Sequence, residues 1–170
     1  VRIDSFEAGG IREYRGLRRL EVTRQELEKF SLQPGDVLVN RVNGSLDELG
    51  KAAVVGGLAE PTVFESNIMR FRVDTPAVLP EFVVAFLGSP RGRSQICAKA
   101  RTIQQFSINQ GDVGSIVLPL PSLAEQRRIT EYLATIQMHV SMLRRAQGAS
   151  VADLDYLQQS ILARAFRGEL

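Results

Sequence analysis

The stretch from Ser122 to Phe166 limits what this chain can fold into more than any other. Ser122-Leu-Ala-Glu125 has the spacing of a capping box, in which the serine hydroxyl accepts from the third helical N–H and the glutamate reaches back to the cap. Pro119 and Pro121 stop the preceding segment and hold the approach extended. Ile129, Leu133, Ile136, Val140 and Leu143 then recur at alternating steps of four and three, the spacing of a coiled-coil seam. The same register passes Gln147 and Ser150 and lands on Leu154, Leu157 and Ile161. One seam therefore continues across a polar interruption containing Gly148, where glycine costs about 1 kcal/mol against alanine and a bend or break is one outcome. Unbroken, a helix of roughly 45 residues is about 65 Å long at 1.5 Å per residue. The remaining residues make a domain about 35 Å across. A helix lying on such a domain leaves apolar residues uncovered, and lengthwise pairing with another helix accounts for them.

Before Pro119 the pattern is different. Short apolar runs alternate with Gly- and Pro-rich turns, and the spacing predicts strands at Asp36–Val42 (alternating apolar and polar, after a Gln33-Pro-Gly35 turn), Lys51–Val55, Asn67–Val73 and Ser115–Leu118. Short helices interrupt them. Thr23-Arg-Gln-Glu26 is a second capping box, opening a helix to Phe30. Pro80 to Leu87 places Phe82, Val83 and Phe86 on one face with proline in the first turn, and a further helical turn or two follows Pro90. The expected fold is α+β: a mostly β domain with short helices over residues 1–119, then a long coiled-coil-type helical region over 120–170.

The 170 residues, 44% of them hydrophobic, suffice for one domain with a real core. There is no apolar run of the roughly 18 residues that a membrane span needs, and no signal-peptide pattern at Val1-Arg-Ile-Asp4. That start, inside what reads as a strand, leads us to expect natural residues ahead of it. The single cysteine, Cys97, excludes an internal disulfide framework and suits the cytoplasm. Three lysines among 21 basic residues leave 18 arginines, the side chain suited to bidentate contacts with phosphate and guanine, although a GC-rich genome gives the same bias.

No catalytic constellation is visible. Gly44 to Gly50 followed by Lys51 resembles a phosphate loop, but five residues separate the glycines and Ala52 stands where a magnesium-binding hydroxyl belongs. The segment reads as a loop joining two strands. Asp36, Glu48 and Lys51 resemble a nuclease cluster, but the Glu-to-Lys spacing is one residue too long for both to face one way along a strand. One histidine, His139 beside the seam, and one cysteine cannot make a structural zinc site. No methyltransferase loop or dinucleotide fingerprint is present, and no cofactor or metal is implied.

Side chains suited to nucleic acid gather in three places. Arg12, Arg15, Arg18 and Arg19 precede the first capped helix, interleaved with Glu13 and Glu21 as a solvated face also would be. Arg41, Asn43, Ser45 and Lys51 surround the loop after the best strand; Gln104, Gln105, Ser107 and Asn109 follow Lys99 and Arg101. Arg, Asn and Gln pair with base edges, whereas Lys and Ser suit phosphates.

Leu118-Pro-Leu-Pro-Ser-Leu-Ala-Glu-Gln-Arg-Arg-Ile129 resembles the Leu-Pro-x-Leu-x-Glu-Gln-x-x-Ile signature of specificity subunits of Type I restriction–modification enzymes. The tail Leu157-Gln-Gln-Ser-Ile-Leu-Ala-Arg-Ala-Phe-Arg-Gly-Glu-Leu170 is similar to that family's ending. Upstream, Pro34 to Arg41, Gly50 to Val54 and Gln105 to Asn109 fall where its target recognition domain has comparable strands and turns. The resemblance runs from about residue 32 to the end. It implies a non-catalytic subunit whose recognition domain reads one half of a split double-stranded DNA target. Its conserved helices hold two such domains apart and dock the modification subunit, and through it the restriction subunit. This chain has room for one domain and one helical region, either as a half-sized subunit that dimerises or as half of a longer chain whose helices pair internally. Two alternatives remain at this level: an assembly module with no role on DNA, and the recognition region of a fused restriction–methylation enzyme.

Overall fold

The computed structural model describes residues 1–7, 10–11, 17–102 and 104–169, with backbone only for 6–7, 10–11 and 151–153. Arg12 and Arg15, predicted to contact DNA, lie outside the described residues. The chain divides into two compact units, Val1–Thr130 and Glu131–Leu170.

In the first unit a 3₁₀ turn at Ile3–Ser5 leads into a hairpin of β1 (Phe6–Glu7) and β2 (Gly10–Ile11), followed by α1 (Arg24–Phe30). Helix α1 starts where its capping box predicts: Thr23 Oγ1 accepts from Glu26 N at 3.2 Å and Glu26 Oε2 accepts from Thr23 N at 2.8 Å. The Gln33-Pro-Gly35 turn, closed by Asp36 N donating to Gln33 O at 3.0 Å, delivers the chain into β3 (Val37–Asn40). Strand β4 (Val42–Asn43) follows after a single residue; β5 (Ala52–Val54) and β6 (Ile68–Phe71) flank β3 on both sides, antiparallel.

All four residues of β3 are buried, so the segment is the two-sided centre of its sheet rather than the alternating strand expected from sequence. Val37 and Val39 face one core with Leu49, Leu87 and Ile96, while Leu38 faces a second with Leu32, Val55 and Ile68. Asp36, at the entry to β3, is also buried. Its Oδ1 accepts from Arg72 Nε at 2.6 Å, and its Oδ2 accepts from Gln33 N at 2.8 Å.

Helices α2 (Pro80–Gly88) and α3 (Pro90–Lys99) cover the first core with Val84, Leu87 and Ile96. They pack so closely that a Cβ on Gly92 would fall 2.1 Å from the Phe86 carbonyl oxygen. A second sheet, in the order β4–β8–β7, joins β4 to a hairpin of β7 (Arg101–Thr102) and β8 (Phe106–Ser107). Helix α4 (Gln110–Gly114) follows.

Ser115–Leu118, predicted as a strand, pairs with no strand among the described residues. The backbone of Val117 is satisfied by a side chain: Gln95 Oε1 accepts from Val117 N at 2.8 Å and Gln95 Nε2 donates to Val117 O at 3.1 Å. An amide on α3 thus does the work of one rung of a ladder.

Helix α5 runs unbroken from Leu123 to Phe166, 44 residues, straight through Gly148, so the α+β fold with a long C-terminal helix is as expected. Only half of its capping box forms. Ser122 Oγ accepts from Glu125 N at 3.3 Å, while the Glu125 carboxylate takes Arg128 instead and is held below the usual range by that hydrogen bond. The opening turns of α5 belong to the first unit through Gln126. This residue is fully buried and is bonded to Leu79 N, Ala77 O and Pro121 O, each at 2.9 Å. In the second unit, described by itself, the seam residues Leu133, Ile136, Val140, Leu143, Leu154, Leu157 and Ile161 are all exposed, as is His139 beside them.

Candidate nucleic-acid interface

Two of the three sequence clusters converge. Strand β4 pairs antiparallel with β8, Asn43 opposite Phe106 and Val42 opposite Ser107. The turn joining β7 to β8, which carries Gln104 and Gln105, therefore lies beside the loop that leaves β4 through Gly44 and Ser45. One end of a three-stranded sheet presents Asn43, Ser45, Gln104 and Gln105 together, although some sixty residues separate the two segments.

Arg41 sits at the hinge of this arrangement. It is the one residue between β3 and β4, and its backbone ties the two sheets: its N–H donates to Asn67 O at 2.8 Å, next to β6, and its carbonyl accepts from Ile108 N at 3.0 Å, next to β8. The side chain is exposed, and among the described residues no carboxylate lies within ion-pair distance of it. Arg41 also lines an otherwise largely apolar cavity of about 630 Å³ with Met69, Phe71, Val83 and Phe86.

The remaining predicted contacts differ in how much hydrogen-bonding capacity they keep. Gln104 and Gln105 are exposed, and no hydrogen bond ties their amides to the described residues. Asn43 Oδ1 already accepts from Ser45 N at 3.0 Å, which leaves its NH₂. Ser45 Oγ accepts from Asp47 N at 3.3 Å and keeps its proton to donate. Lys51 is exposed but paired with Glu48 at 2.5 Å. Asn109 is the N-cap of α4, its Oδ1 accepting from Asp112 N at 2.9 Å. Arg101 forks onto Asp112, whose carboxyl is held low by that pair and by Asn109 N. In the third cluster Arg18 and Arg19 are exposed, and Arg19 grips both oxygens of Glu60 at 2.8 Å.

The nuclease-like trio is taken apart: Asp36 stands at the entry to β3, whereas Lys51 O accepts from Asn40 N at its exit. Among the described residues no three His, Cys, Asp or Glu side chains gather as a metal ion requires, and no helix is long and apolar enough to cross a membrane.

Sequence reasoning missed the groups behind the interface. Arg93 on α3 donates through Nη2 to Leu46 O at 2.6 Å and through Nη1 to Leu49 O. The buried Asn40 amide donates to Glu48 O at 3.1 Å. Nothing in the spacing of these residues marks them. Gln126 had a signal, the glutamine of the Glu-Gln helix start, but sequence did not show that it is buried.

No family model matches the chain. Known proteins do. The chain is 34% identical over its whole length to the EcoKI specificity subunit of the Type I restriction enzyme of Escherichia coli K12, of which it covers 37%. Its sequence relatives are Type I specificity subunits. To the StySPI specificity subunit of Salmonella potsdam it is 29% identical, over 90% of this chain and 33% of that one. A solved structure from a study of assembly and conformational transition in a Type I restriction–modification system superposes with a TM-score of 0.63 at 28% identity, over 83% of this chain and 33% of that chain. The chain thus spans about a third of the length of the relatives it matches.

Proposed function

We propose that residues 1–119 read one half of a bipartite double-stranded DNA target and that residues 120–170 are a pairing and spacer element which also docks the modification subunit. The chain itself does no chemistry on DNA; methylation and cleavage belong to the modification subunit and to the restriction subunit reached through it. The observation that carries this reading is the meeting of Asn43, Ser45, Gln104 and Gln105 at one sheet end beside an unpaired Arg41, in a relative of specificity subunits. Guanidinium and carboxamide groups with open donors and acceptors are what base edges in the major groove require.

The helix partner is a second copy of this chain or the corresponding helix of a longer one. A 44-residue helix is about 66 Å long against roughly 34 Å per DNA turn, so the two half-sites stand one to two turns apart. A target with adjacent half-sites contradicts this. Affinity of the assembled complex for DNA should fall steeply between about 50 and 200 mM salt if phosphates are neutralised. A flat profile in that complex argues instead for an assembly module, the reading that the exposed seam also suits.

A further inference from the structure

We propose that Arg93 is a positioning residue for the reading loop Gly44–Lys51, and that it governs discrimination between sequences rather than attraction to DNA. This rests on the DNA-reading function proposed above.

The loop is held from behind at three of its carbonyls. Arg93 holds Leu46 O and Leu49 O, and Asn40 holds Glu48 O between them. A guanidinium carries its N–H groups in a rigid fork, so one side chain fixes the separation of two carbonyls, as an ammonium cannot. Among the described residues no carboxylate pairs with Arg93. Its fork is taken by neutral backbone, with Cys97 Sγ at 3.9 Å as its other neighbour. Asn40 is buried, and among the described residues its Oδ1 has no hydrogen-bond partner while its amide satisfies Glu48 O.

The far end of the loop is fixed as well. Gly50 has φ +74°, and a Cβ there would come within 2.7 Å of Ile96, so α3 presses directly on the backbone. Two residues of α3, one turn apart, therefore clamp a loop that carries Ser45 and Lys51 and follows Asn43. Phosphate contacts tolerate a mobile loop because the charge acts over distance. Base contacts require donors and acceptors at fixed positions, so loosening the loop weakens readout first.

The test uses the complex assembled with the modification subunit and a bipartite sequence selected by the wild-type complex from random DNA. Discrimination is the ratio of its affinity for that sequence to its affinity for scrambled DNA at one salt concentration. Arg93→Ala should lower the ratio by about tenfold, the scale of one imperfect base contact, and leave scrambled-DNA affinity within about twofold. Amide exchange should quicken at residues 45–51, with β3 and α2 as protected as before. Arg93→Lys, which keeps the charge and the stem, covers failure of the alanine variant to fold; it should lose discrimination in the same direction while staying folded. An unchanged ratio with unchanged loop exchange overturns the proposal, and so does an equal loss on both DNAs with faster exchange throughout. If the wild-type complex selects no sequence, the DNA-reading function fails, and this inference with it. Selection that is indifferent to Arg93 sinks the inference alone.

Discussion

The two units of this chain treat apolar side chains in opposite ways. In the first, Val37, Leu38, Val39, Leu49, Val55 and Ile96 are all but inaccessible, and buried polar groups such as Asp36 and Gln126 are bonded within the unit. In the second, the seam from Leu133 to Ile161 is 37–65% exposed although its spacing is as regular as any core's. The first unit obtains its stability from itself. The second is a helix held by local bonds, and the proposed pairing would bury its seam, because lone helices in water are marginal and gain most from tertiary burial. The difference separates a part with its own core from a part whose apolar seam is left exposed.

The largest effect is expected at the seam. Ile136→Glu with Val140→Glu should weaken association by about a thousandfold or more, since two charges would enter a paired apolar layer. Sedimentation reads this out, and the first unit's near-ultraviolet spectrum should not change. Continued association would mean that the seam is not the pairing face.

Gln126→Ala acts on the first unit instead. It strands Leu79 N–H, Ala77 O and Pro121 O and should destabilise the first unit by about 2 kcal/mol in chemical denaturation. A change below about 0.5 kcal/mol would show that water replaces the amide without loss.

Gly148→Ala should raise helicity and stabilise α5 by about 1 kcal/mol, because a Cβ there meets nothing within 4 Å. If association falls instead, the partner helix approaches closely at this point. The smallest effect concerns pH. Because the Asp112 carboxyl is depressed by Arg101, its clamp is complete above the ordinary aspartate range and is lost only as pH falls through the lowered value. Asp112→Asn should therefore flatten part of the acid limb of stability.

Sequence disclosed the elements set by neighbours and left out those set by topology. The helices at Arg24 and Leu123 were legible because caps and periodicity are local, and the Gln33-Pro-Gly35 turn for the same reason. Ser115–Leu118 was misread because an apolar run looks alike whether a strand or the Gln95 amide satisfies it. The three polar clusters were visible one by one. Only the β4–β8 pairing shows that Asn43 and Gln105 are neighbours, and no local pattern announces a register between distant segments. Arg93 carries no mark in the sequence, because what distinguishes it is the pair of carbonyls it meets.

The sheet end at Arg41 is proposed to read DNA bases. The most direct test is the preference of the assembled complex for its selected sequence over scrambled DNA, compared between wild type and Arg41→Ala, with Gln104→Ala as a second variant. Each should lose about 1–3 kcal/mol of discrimination, five- to a hundredfold or so, with helix association intact. Full discrimination in both variants would contradict the account.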